Sequence, residues 1–169
     1  MSSRPPVLSA RHKIVPLSAL VRAVRQAQRR GKKVVFTNGC FDLIHAGHVK
    51  VLERARDAGD LLVVAVNSDS SVRVLKKGPG RPILHERDRA LLIAAFACVD
   101  YVTIFSQATP QSLIEKIHPD VLIKGSDWKA GSIVGADWVR KCGGKVVRIP
   151  LLKGHSTTNL IERIRQAAV

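Results

Sequence analysis

The chain has 169 residues, of which 46% are hydrophobic and 24% charged, a composition typical of one globular domain that excludes a disordered or fibrous protein. The longest apolar run, residues 90–99, is about half of the roughly 20 residues that a membrane-spanning helix needs, and the first fifteen residues lack the apolar segment of a secretory signal. The three cysteines, Cys40, Cys98 and Cys142, lack CxxC spacing and favour a protein of the reducing cytoplasm over one stabilised by disulfides.

The formal net charge is +15, and much of the excess is concentrated at the N-terminus. Nine of the 28 basic residues fall within residues 1–33, where no acidic residue occurs. Such an excess is compatible with a nucleic-acid partner, but it lies away from the motifs described below. A solvated basic face is therefore favoured, and nucleic acid is not expected as a partner. We divide the sequence into a basic N-terminal arm with a first helix, residues 1–31, and one further domain, residues 32–169.

Short apolar segments alternate with segments of helical periodicity along the chain. A first helix is predicted from Leu17, Leu20, Val21 and Val24, which recur at helical spacing and are followed by Gly31 as a stop signal. The predicted strands are 33–37, 61–66, 101–105, 121–124 and 145–149. The predicted later helices are 47–58, 70–76, 86–97, 110–117, 134–142 and 158–167.

Strands that alternate with helices imply right-handed crossovers and one parallel sheet. The second predicted strand is apolar throughout, as strands covered on both faces are. The expected fold class is therefore α/β: a single Rossmann-like, doubly wound domain with a five-stranded parallel sheet and helices on both faces. Such a domain binds ligands beyond the carboxyl ends of its strands, where the strand order reverses.

The segment after the first strand, residues 37–48, has the features of a phosphate-binding loop. His45 and His48 bracket Gly47 at the predicted start of a helix, where backbone N–H groups and the helix dipole favour an anion. Two imidazoles there can both donate hydrogen bonds to phosphate oxygens, and a glycine lets a phosphate approach the backbone. The segment has neither the Gly-Lys-Ser/Thr of a Walker A loop nor G-x-G-x-x-G, and Cys40 with the two histidines lacks the further ligand pair of a zinc site.

Two segments resemble the signatures of the cytidylyltransferase-like nucleotidyltransferase superfamily. Residues 39–48 are similar to its G-x-F-D-x-x-H-x-G-H signature, and residues 154–158, which open the last helix, to its G-x-S-T-T signature. Within the superfamily, the chain most resembles the D-glycero-β-D-manno-heptose 1-phosphate adenylyltransferases, over about residues 32–167. The segments that carry this closer resemblance are 37–42, 66–69, 81–82, 122–125 with Asp127, and 156–159.

The resemblance implies a reaction in which a phosphate oxygen of the sugar 1-phosphate attacks the α-phosphorus of ATP and expels pyrophosphate. ATP and a sugar 1-phosphate are then the expected partners. Mg²⁺ is the expected cofactor, bound mainly through the ATP phosphates, and no metal site made of protein side chains is expected. A phosphate monoester with a second pKa of about 6 is largely ionised at pH 7, so the reaction needs positioning and charge neutralisation but no general base.

The resemblance also implies roles for individual residues. The expected catalytic residues are His45, His48, Lys77 and Thr157. The expected nucleotide-binding residues are Gly39, Phe41, Asp42, Gly47, Lys124, Gly125, Asp127, Ser156 and Thr158. The expected sugar-phosphate-binding residues are Asn67, Asp69, Lys76, Arg81 and Arg87. Structural alternatives stay open for three of these features: the two lysines as a solvated pair, Asp42 as a turn residue, and the Ser-Thr-Thr run as a helix cap.

Two other functions stay open at the level of the sequence. A glycerol-3-phosphate cytidylyltransferase has the same two signatures, and a basic RNA-binding module without catalysis would account for the charge. Only 4 Phe, 2 Trp and 1 Tyr are present, which are few aromatic rings for stacking bases. Some relatives also have an arginine ahead of the second signature, where this chain has Lys153.

The resemblance carries expectations about the whole protein as well. In many bacteria the heptose activity is the second domain of a protein with an N-terminal sugar kinase. No kinase precedes the domain here, so the stand-alone form is expected, acting in the synthesis of the inner-core heptose of lipopolysaccharide. A homo-oligomer, a dimer or larger, is expected.

Overall fold

A computed structural model describes residues 9–75, 78, 80–126, 130–152 and 154–167. Within this part of the chain, two short 3-10 helices lie at Ala10–Lys13 and Ala130–Ser132. The strands are β1 (Val34–Gly39), β2 (Leu61–Asn67), β3 (Tyr101–Phe105), β4 (Val121–Gly125) and β5 (Lys145–Ile149). The helices are α1 (Leu17–Arg29), α2 (Ala46–Arg56), α3 (Asp69–Val74), α4 (Glu86–Ala94), α5 (Gln111–Ile117), α6 (Ala136–Lys141) and α7 (Thr157–Ala167).

The five strands form one parallel sheet in the order β3-β2-β1-β4-β5. The chain runs outward from β1 through β2 to β3 and then returns to place β4 on the other side of β1. The strand order therefore reverses between β1 and β4, where the Thr37 hydroxyl donates a hydrogen bond to the Ile123 carbonyl at 3.1 Å. The prediction of a doubly wound, five-stranded parallel sheet is confirmed, and the crevice between β1 and β4 is where such a sheet binds a ligand.

Successive side chains of the strands point to opposite faces of the sheet and form two cores. On one face, Val35 of β1 packs with Leu52 of α2 and with α4. On the other face, Phe36 packs with Leu20 of α1 and with α5 and α6. Burying one Val, Leu, Ile or Phe side chain stabilises a fold by about 1.5–3 kcal/mol, so the two cores hold β1 rigidly from both faces.

The first helix packs directly on the sheet. Leu20 and Val24 have no solvent exposure, whereas Arg22, Arg25 and Arg29 on the other side of α1 are exposed. Just before α1, the Lys13 ammonium donates to the Phe96 carbonyl at 2.9 Å. The basic residues of α1 thus cover the solvent side of a helix whose apolar side belongs to the core.

Several boundaries differ from the predicted ones by one to three residues. β1 continues to Gly39 rather than ending at Thr37, because residues 38 and 39 pair with Ala65 and Val66 of β2. α4 ends at Ala94 rather than at residue 97, since the chain turns there to begin β3. No described helix is long and apolar enough to cross a membrane.

Candidate active site

A cavity of about 320 Å³ at the carboxyl ends of β1 and β4 brings the two signature segments together. The first signature contributes Gly39, Cys40, Phe41, His45, Gly47 and His48 to its lining. The second contributes His155, Ser156, Thr157 and Thr158, and other segments contribute Thr37, Asn38, Val51, Arg81, Lys124, Gly125, Leu151 and Leu152. Segments distant in the sequence therefore meet at the crevice that the sheet topology defines.

The two histidines of the first signature stack on each other. His45 is the residue before α2, in extended backbone, and its side chain makes no capping hydrogen bond. His48 lies in the first turn, where its backbone N–H donates to the His45 carbonyl at 2.9 Å, and the ring centroids are 3.8 Å apart. The buried Nδ1 atom of each ring has no hydrogen-bond partner among the described residues. Buried polar atoms without partners cost stability, so native proteins rarely keep them outside functional sites.

Burial sets the charge of this histidine pair. Burial, and to a smaller extent the charge of the neighbouring His45, lowers the pKa of His48 to about 4. Burial also lowers the pKa of His45, and the charge of His155 adds to that effect. Both rings are therefore neutral at pH 7 without a ligand, and each has one N–H to donate. A phosphate beside them favours the protonated form and opposes the effect of burial.

The backbone of the histidine loop is tightly packed. A Cβ atom at Gly47 would lie 2.9 Å from the Cε1 and Nδ1 atoms of His45, and one at Gly39 would lie 3.1 Å from the Phe41 ring. Phe41 has a φ of 49°, in the left-handed region that costs a residue other than glycine about 1–3 kcal/mol. Its ring is buried, with its centroid 5.3 Å from that of His48. The loop thus holds the two imidazoles between a glycine without room for a side chain and a buried phenyl ring.

Asp42 is buried beneath the site, and both oxygens of its carboxylate accept hydrogen bonds from other groups of the protein. One oxygen accepts from the Arg81 guanidinium. The other accepts from the backbone N–H groups of Ile83 at 2.7 Å and Leu84 at 3.0 Å. The carboxylate therefore ties residues 81–84 to the histidine loop and places Arg81 at the cavity.

Arg89 is a support that the sequence analysis did not single out. Its side chain is completely buried on the inner side of α4. The guanidinium donates to the Cys40 carbonyl at 2.5 Å, the Leu84 carbonyl at 2.9 Å and the Asp69 carboxylate at 2.7 Å. Arg89 thus joins three loops that carry predicted site residues. The signal was present in the sequence, since residue 89 falls beside Ala90 and Ile93 in the helical pattern of an apolar face.

Asp69 belongs to the same supporting network. Burial raises the pKa of Asp69, but the hydrogen bonds from Arg89 and His85 and the positive charge of Arg89 together outweigh it, so the net pKa is below the ordinary value. The Asp69 backbone N–H donates to the Glu86 carboxylate at 2.7 Å. Its carboxylate was predicted to bind the sugar phosphate, whereas in the structure it holds Arg89 in place.

A second cavity of about 250 Å³ lies beside the first, on the β2 side of β1. Asn67, at the end of β2, lines it and donates from Nδ2 to the Ser71 hydroxyl at 2.9 Å. Asn38, Gly39, Cys40 and Lys124 line both cavities. The mostly buried Lys124 ammonium donates to the Asn38 side-chain oxygen. A ligand that extends from one cavity into the other would therefore pass this cation.

Of the remaining predicted residues, one lies elsewhere and three fall outside the described part of the chain. Arg87 lines a separate cavity with Arg11, Ile14 and Ile104, beside β3, and is not brought to the site. Lys76, Lys77 and Asp127 lie outside the described residues. Asn38, Cys40 and His155 line the site without having been predicted.

The described side chains of the site suit a magnesium ion that phosphates bind, but not one that protein side chains alone would hold. Among the described residues, no group of three or more His, Cys, Asp or Glu side chains is arranged to hold a metal ion. The Asp42 carboxylate is committed to Arg81 and two backbone N–H groups. Imidazoles, amides and cations suit phosphate oxygens, whereas Mg²⁺ prefers oxygen ligands such as carboxylates and phosphates.

The doubly wound sheet brings the histidine loop and the start of the final helix to one cavity, as expected for the superfamily whose two signatures these segments resemble. The chain belongs to the cytidylyltransferase-like family, whose model matches residues 36–163.

Several relatives and solved structures are similar to the chain. It is 56% identical, over 81% of its length, to the bifunctional protein HldE of Syntrophotalea carbinolica, and 51% identical, over 93%, to that of Geotalea uraniireducens. The chain spans 28% and 32% of the length of these two relatives. The crystal structure of the lipopolysaccharide core biosynthesis protein from Thermoplasma volcanium is 29% identical, with a TM-score of 0.61, and the match covers 73% of this chain and 98% of that one.

A more distant structure shares the fold alone. The pantoate-beta-alanine ligase from Francisella tularensis is 12% identical, with a TM-score of 0.55 and coverage of 92% of this chain and 78% of that chain.

Proposed function

We propose that the chain transfers the adenylyl group of ATP to D-glycero-β-D-manno-heptose 1-phosphate, giving ADP-heptose and pyrophosphate for the inner core of lipopolysaccharide. The observation that carries the proposal is the cavity in which both signature segments meet beside Lys124. The relatives support it: one is named a lipopolysaccharide core biosynthesis protein, and the others are named bifunctional proteins and are about three times as long, as the two-domain form of the family would be.

The two cavities suggest where each substrate lies. The ATP phosphates occupy the larger cavity, between the histidine pair and the start of α7, where Thr157 and Thr158 present a helix N-terminus. The sugar occupies the smaller cavity, where Asn67 and Asn38 offer amide groups to its hydroxyls. The sugar phosphate then lies at Lys124, which lines both cavities.

The chemistry follows from this placement. An oxygen of the sugar phosphate forms a bond to the α-phosphorus of ATP, and the bond from that phosphorus to the bridging oxygen of pyrophosphate breaks. His45 and His48 donate N–H groups to the phosphoryl oxygens on which charge grows, while Lys124 and Arg81 offset the charge of the two polyanions. Preorganised donors of this kind are commonly worth a factor of about 10²–10³ each. Mg²⁺, bound through the ATP phosphates, supplies further charge neutralisation.

The experiment is an assay of pyrophosphate release across a panel of nucleoside triphosphates and sugar phosphates. We expect ATP with the heptose 1-phosphate to be the preferred pair and the rate to depend on Mg²⁺. Glycerol 3-phosphate has too few hydroxyls to satisfy the amides of the smaller cavity, and each group left unpaired costs about 1–3 kcal/mol. Binding of RNA without turnover of any triphosphate would instead favour a non-catalytic module.

A further inference from the structure

Three polar side chains form a row across neighbouring strands at the carboxyl ends of the sheet. Asn67 is the last residue of β2, and Asn38 and Lys124 are the next-to-last residues of β1 and β4. Asn38 pairs with Ala65, two residues before Asn67, and side chains two apart on a strand share a face. The Lys124 side chain reaches that of Asn38, so it belongs to the same row. The row therefore lies on the face of the sheet that α1, α5 and α6 cover.

The hydrogen bonds of Ser71 fix the orientation of the Asn67 amide. The Ser71 hydroxyl has one proton, which it donates to the Gln107 carbonyl at 3.0 Å. The Ser71 oxygen can therefore only accept from Asn67, whose Nδ2 lies 2.9 Å away. The two ends of an amide point in different directions, so the Oδ1 of Asn67 is left to accept a hydrogen bond from a ligand. Asn67 is only 4% exposed and lines the smaller cavity, and among the described residues no donor bonds its Oδ1.

The Asn38 amide has the opposite orientation. The Lys124 ammonium can only donate, and it donates to the Oδ1 of Asn38. This contact leaves the Nδ2 of Asn38 as a donor, and that atom has no acceptor within the described part of the chain. Asn38 lines both cavities. The smaller cavity thus offers one amide donor from β1 and one amide acceptor from β2.

We propose that Asn38 and Asn67 together recognise one hydroxyl of the acceptor, on the carbon next to the one that carries the phosphate. A hydroxyl can accept one hydrogen bond while it donates another, so a single hydroxyl satisfies the Asn38 donor and the Asn67 acceptor. Residues on neighbouring strands that are offset by two positions have Cα atoms about 8 Å apart, which leaves room for one hydroxyl between two amides.

The position of the phosphate selects which hydroxyl is recognised. The phosphate of the acceptor is expected at Lys124, the residue that holds the Asn38 amide. The hydroxyl closest to that phosphate is therefore the one within reach of Asn38, and in a sugar 1-phosphate this is the 2-hydroxyl. The second N–H of Asn38 and the second lone pair of the Asn67 oxygen are left for further hydroxyls of the ring. This inference deepens the proposed function and rests on a sugar 1-phosphate as the acceptor.

The test compares two acceptors with the full chain, ATP and Mg²⁺: D-glycero-β-D-manno-heptose 1-phosphate and its 2-deoxy analogue. Pyrophosphate release gives kcat/KM for each acceptor. We expect kcat/KM of the parent to be on the order of a hundredfold lower with the 2-deoxy analogue, because the Asn38 donor and the Asn67 acceptor both lose their partner. This comparison needs no substitution in the protein, so it does not depend on the folding of a variant.

Variants show whether the discrimination between the two acceptors comes from this pair. Asn67→Ala removes the amide acceptor and should lower kcat/KM roughly tenfold for the heptose phosphate, with little change for the 2-deoxy analogue. Ser71→Ala removes the group that orients Asn67, so it should reduce the discrimination in the same direction. A merely structural role of either residue would lower kcat/KM equally for both acceptors. Gln26→Ala, at an exposed amide of α1, is the matched control and should leave the discrimination unchanged.

The outcomes separate this inference from the proposed function. Equal kcat/KM for the two acceptors in the parent would overturn the inference and leave the heptose activity intact. Discrimination that persists undiminished in Asn67→Ala and Ser71→Ala, with melting temperatures that show folded proteins, would also overturn it. If the parent releases no pyrophosphate from ATP with the heptose phosphate, the proposed function fails, and the inference fails with it.

Discussion

The histidine pair shows most directly how single residues serve the proposed reaction. His45 and His48 stack at the start of α2, and burial keeps them neutral. A neutral imidazole donates one N–H and is less strongly hydrated than an imidazolium, so bringing a phosphate against it displaces water at a lower cost. In the proposed reaction, charge grows on the α-phosphoryl group. The two donors that meet this charge are already in place before any substrate binds.

Replacing His48 should remove most of the catalytic activity while the fold stays intact. We expect His48→Ala to lower kcat by roughly 10²–10³, the effect of removing one positioned donor from a phosphoryl or oxyanion site. Steady-state pyrophosphate release measures the change, with His12→Ala as the control at an exposed histidine. Near-parental turnover by a folded His48→Ala variant would show that His48 has no part in the reaction.

The pH dependence of stability should report the burial of His48. Its pKa falls from 6.5 to about 4 on folding, so the unfolded chain binds more protons between these values. The stability contributed by the neutral ring is present above pH 6.5 and is lost as the pH falls towards 4. We expect the parent protein to lose about 2 kcal/mol more than His48→Gln between pH 7 and pH 5, as measured by urea unfolding. Equal losses in the two proteins would contradict a depressed pKa at His48.

At the scale of elements, the active site depends on loops that follow strands and on what holds those loops together. The start of α2 leaves no room beside His45, as the 2.9 Å approach at Gly47 shows. Asp42 and Arg89 then tie the histidine loop to residues 81–84 and to the end of β2. This network of buried charges therefore links the loops of the site to one another, in addition to the packing around Gly47.

A methyl group at Gly47 should disturb the histidines more than the fold. In Gly47→Ala the new Cβ would displace the His45 ring, and a misplacement of about 1 Å can cost 10²-fold in rate. We expect kcat to fall by roughly ten- to a hundredfold. Gly131→Ala is the matched control, since its Cβ would meet nothing within 4 Å. Equal activity of the two variants would mean that the site tolerates a shift of His45.

Loss of the Arg89 guanidinium should cost stability, because two carbonyls and one carboxylate lose this buried donor. We expect Arg89→Met to lower the free energy of unfolding by about 3 kcal/mol, the effect of breaking a buried ion pair from one side. Urea unfolding measures this, with Arg87→Met on the exposed side of the same helix as the control, expected within about 0.5 kcal/mol of the parent. A small effect of Arg89→Met on the free energy of unfolding would contradict the stabilising role of the buried Arg89 side chain.

The network also marks the limit of prediction from sequence. The strands, their parallel arrangement and the meeting of the two signature segments could be predicted, since periodicity, turn residues and short motifs are local signals. Asp69 and Arg87 were predicted at the sugar phosphate, but Asp69 holds Arg89 and Arg87 lines another cavity. Which side chain reaches a ligand and which supports a neighbour depends on contacts between distant loops, and no local pattern encodes those contacts.

At the scale of the whole molecule, sheet topology explains why two distant segments form one site. The reversal of strand order between β1 and β4 opens the crevice, and the final helix returns over it. α1 carries three of the basic residues of the N-terminus, Arg22, Arg25 and Arg29, on its exposed side, on the opposite face of the sheet from α2. Its exposed arginines thus form a surface separate from the cavity. Association into a homo-oligomer stays a prediction, and light scattering of the purified chain would test it.

The measurement that tests the central claim most directly is the ratio of two rates of pyrophosphate release under the same conditions. One pair is ATP with D-glycero-β-D-manno-heptose 1-phosphate, and the other is CTP with glycerol 3-phosphate. We predict rapid, Mg²⁺-dependent release with the first pair, a product with the mass of ADP-heptose, and little release with the second. Turnover of CTP with glycerol 3-phosphate that equals or exceeds the first rate would contradict the heptose assignment.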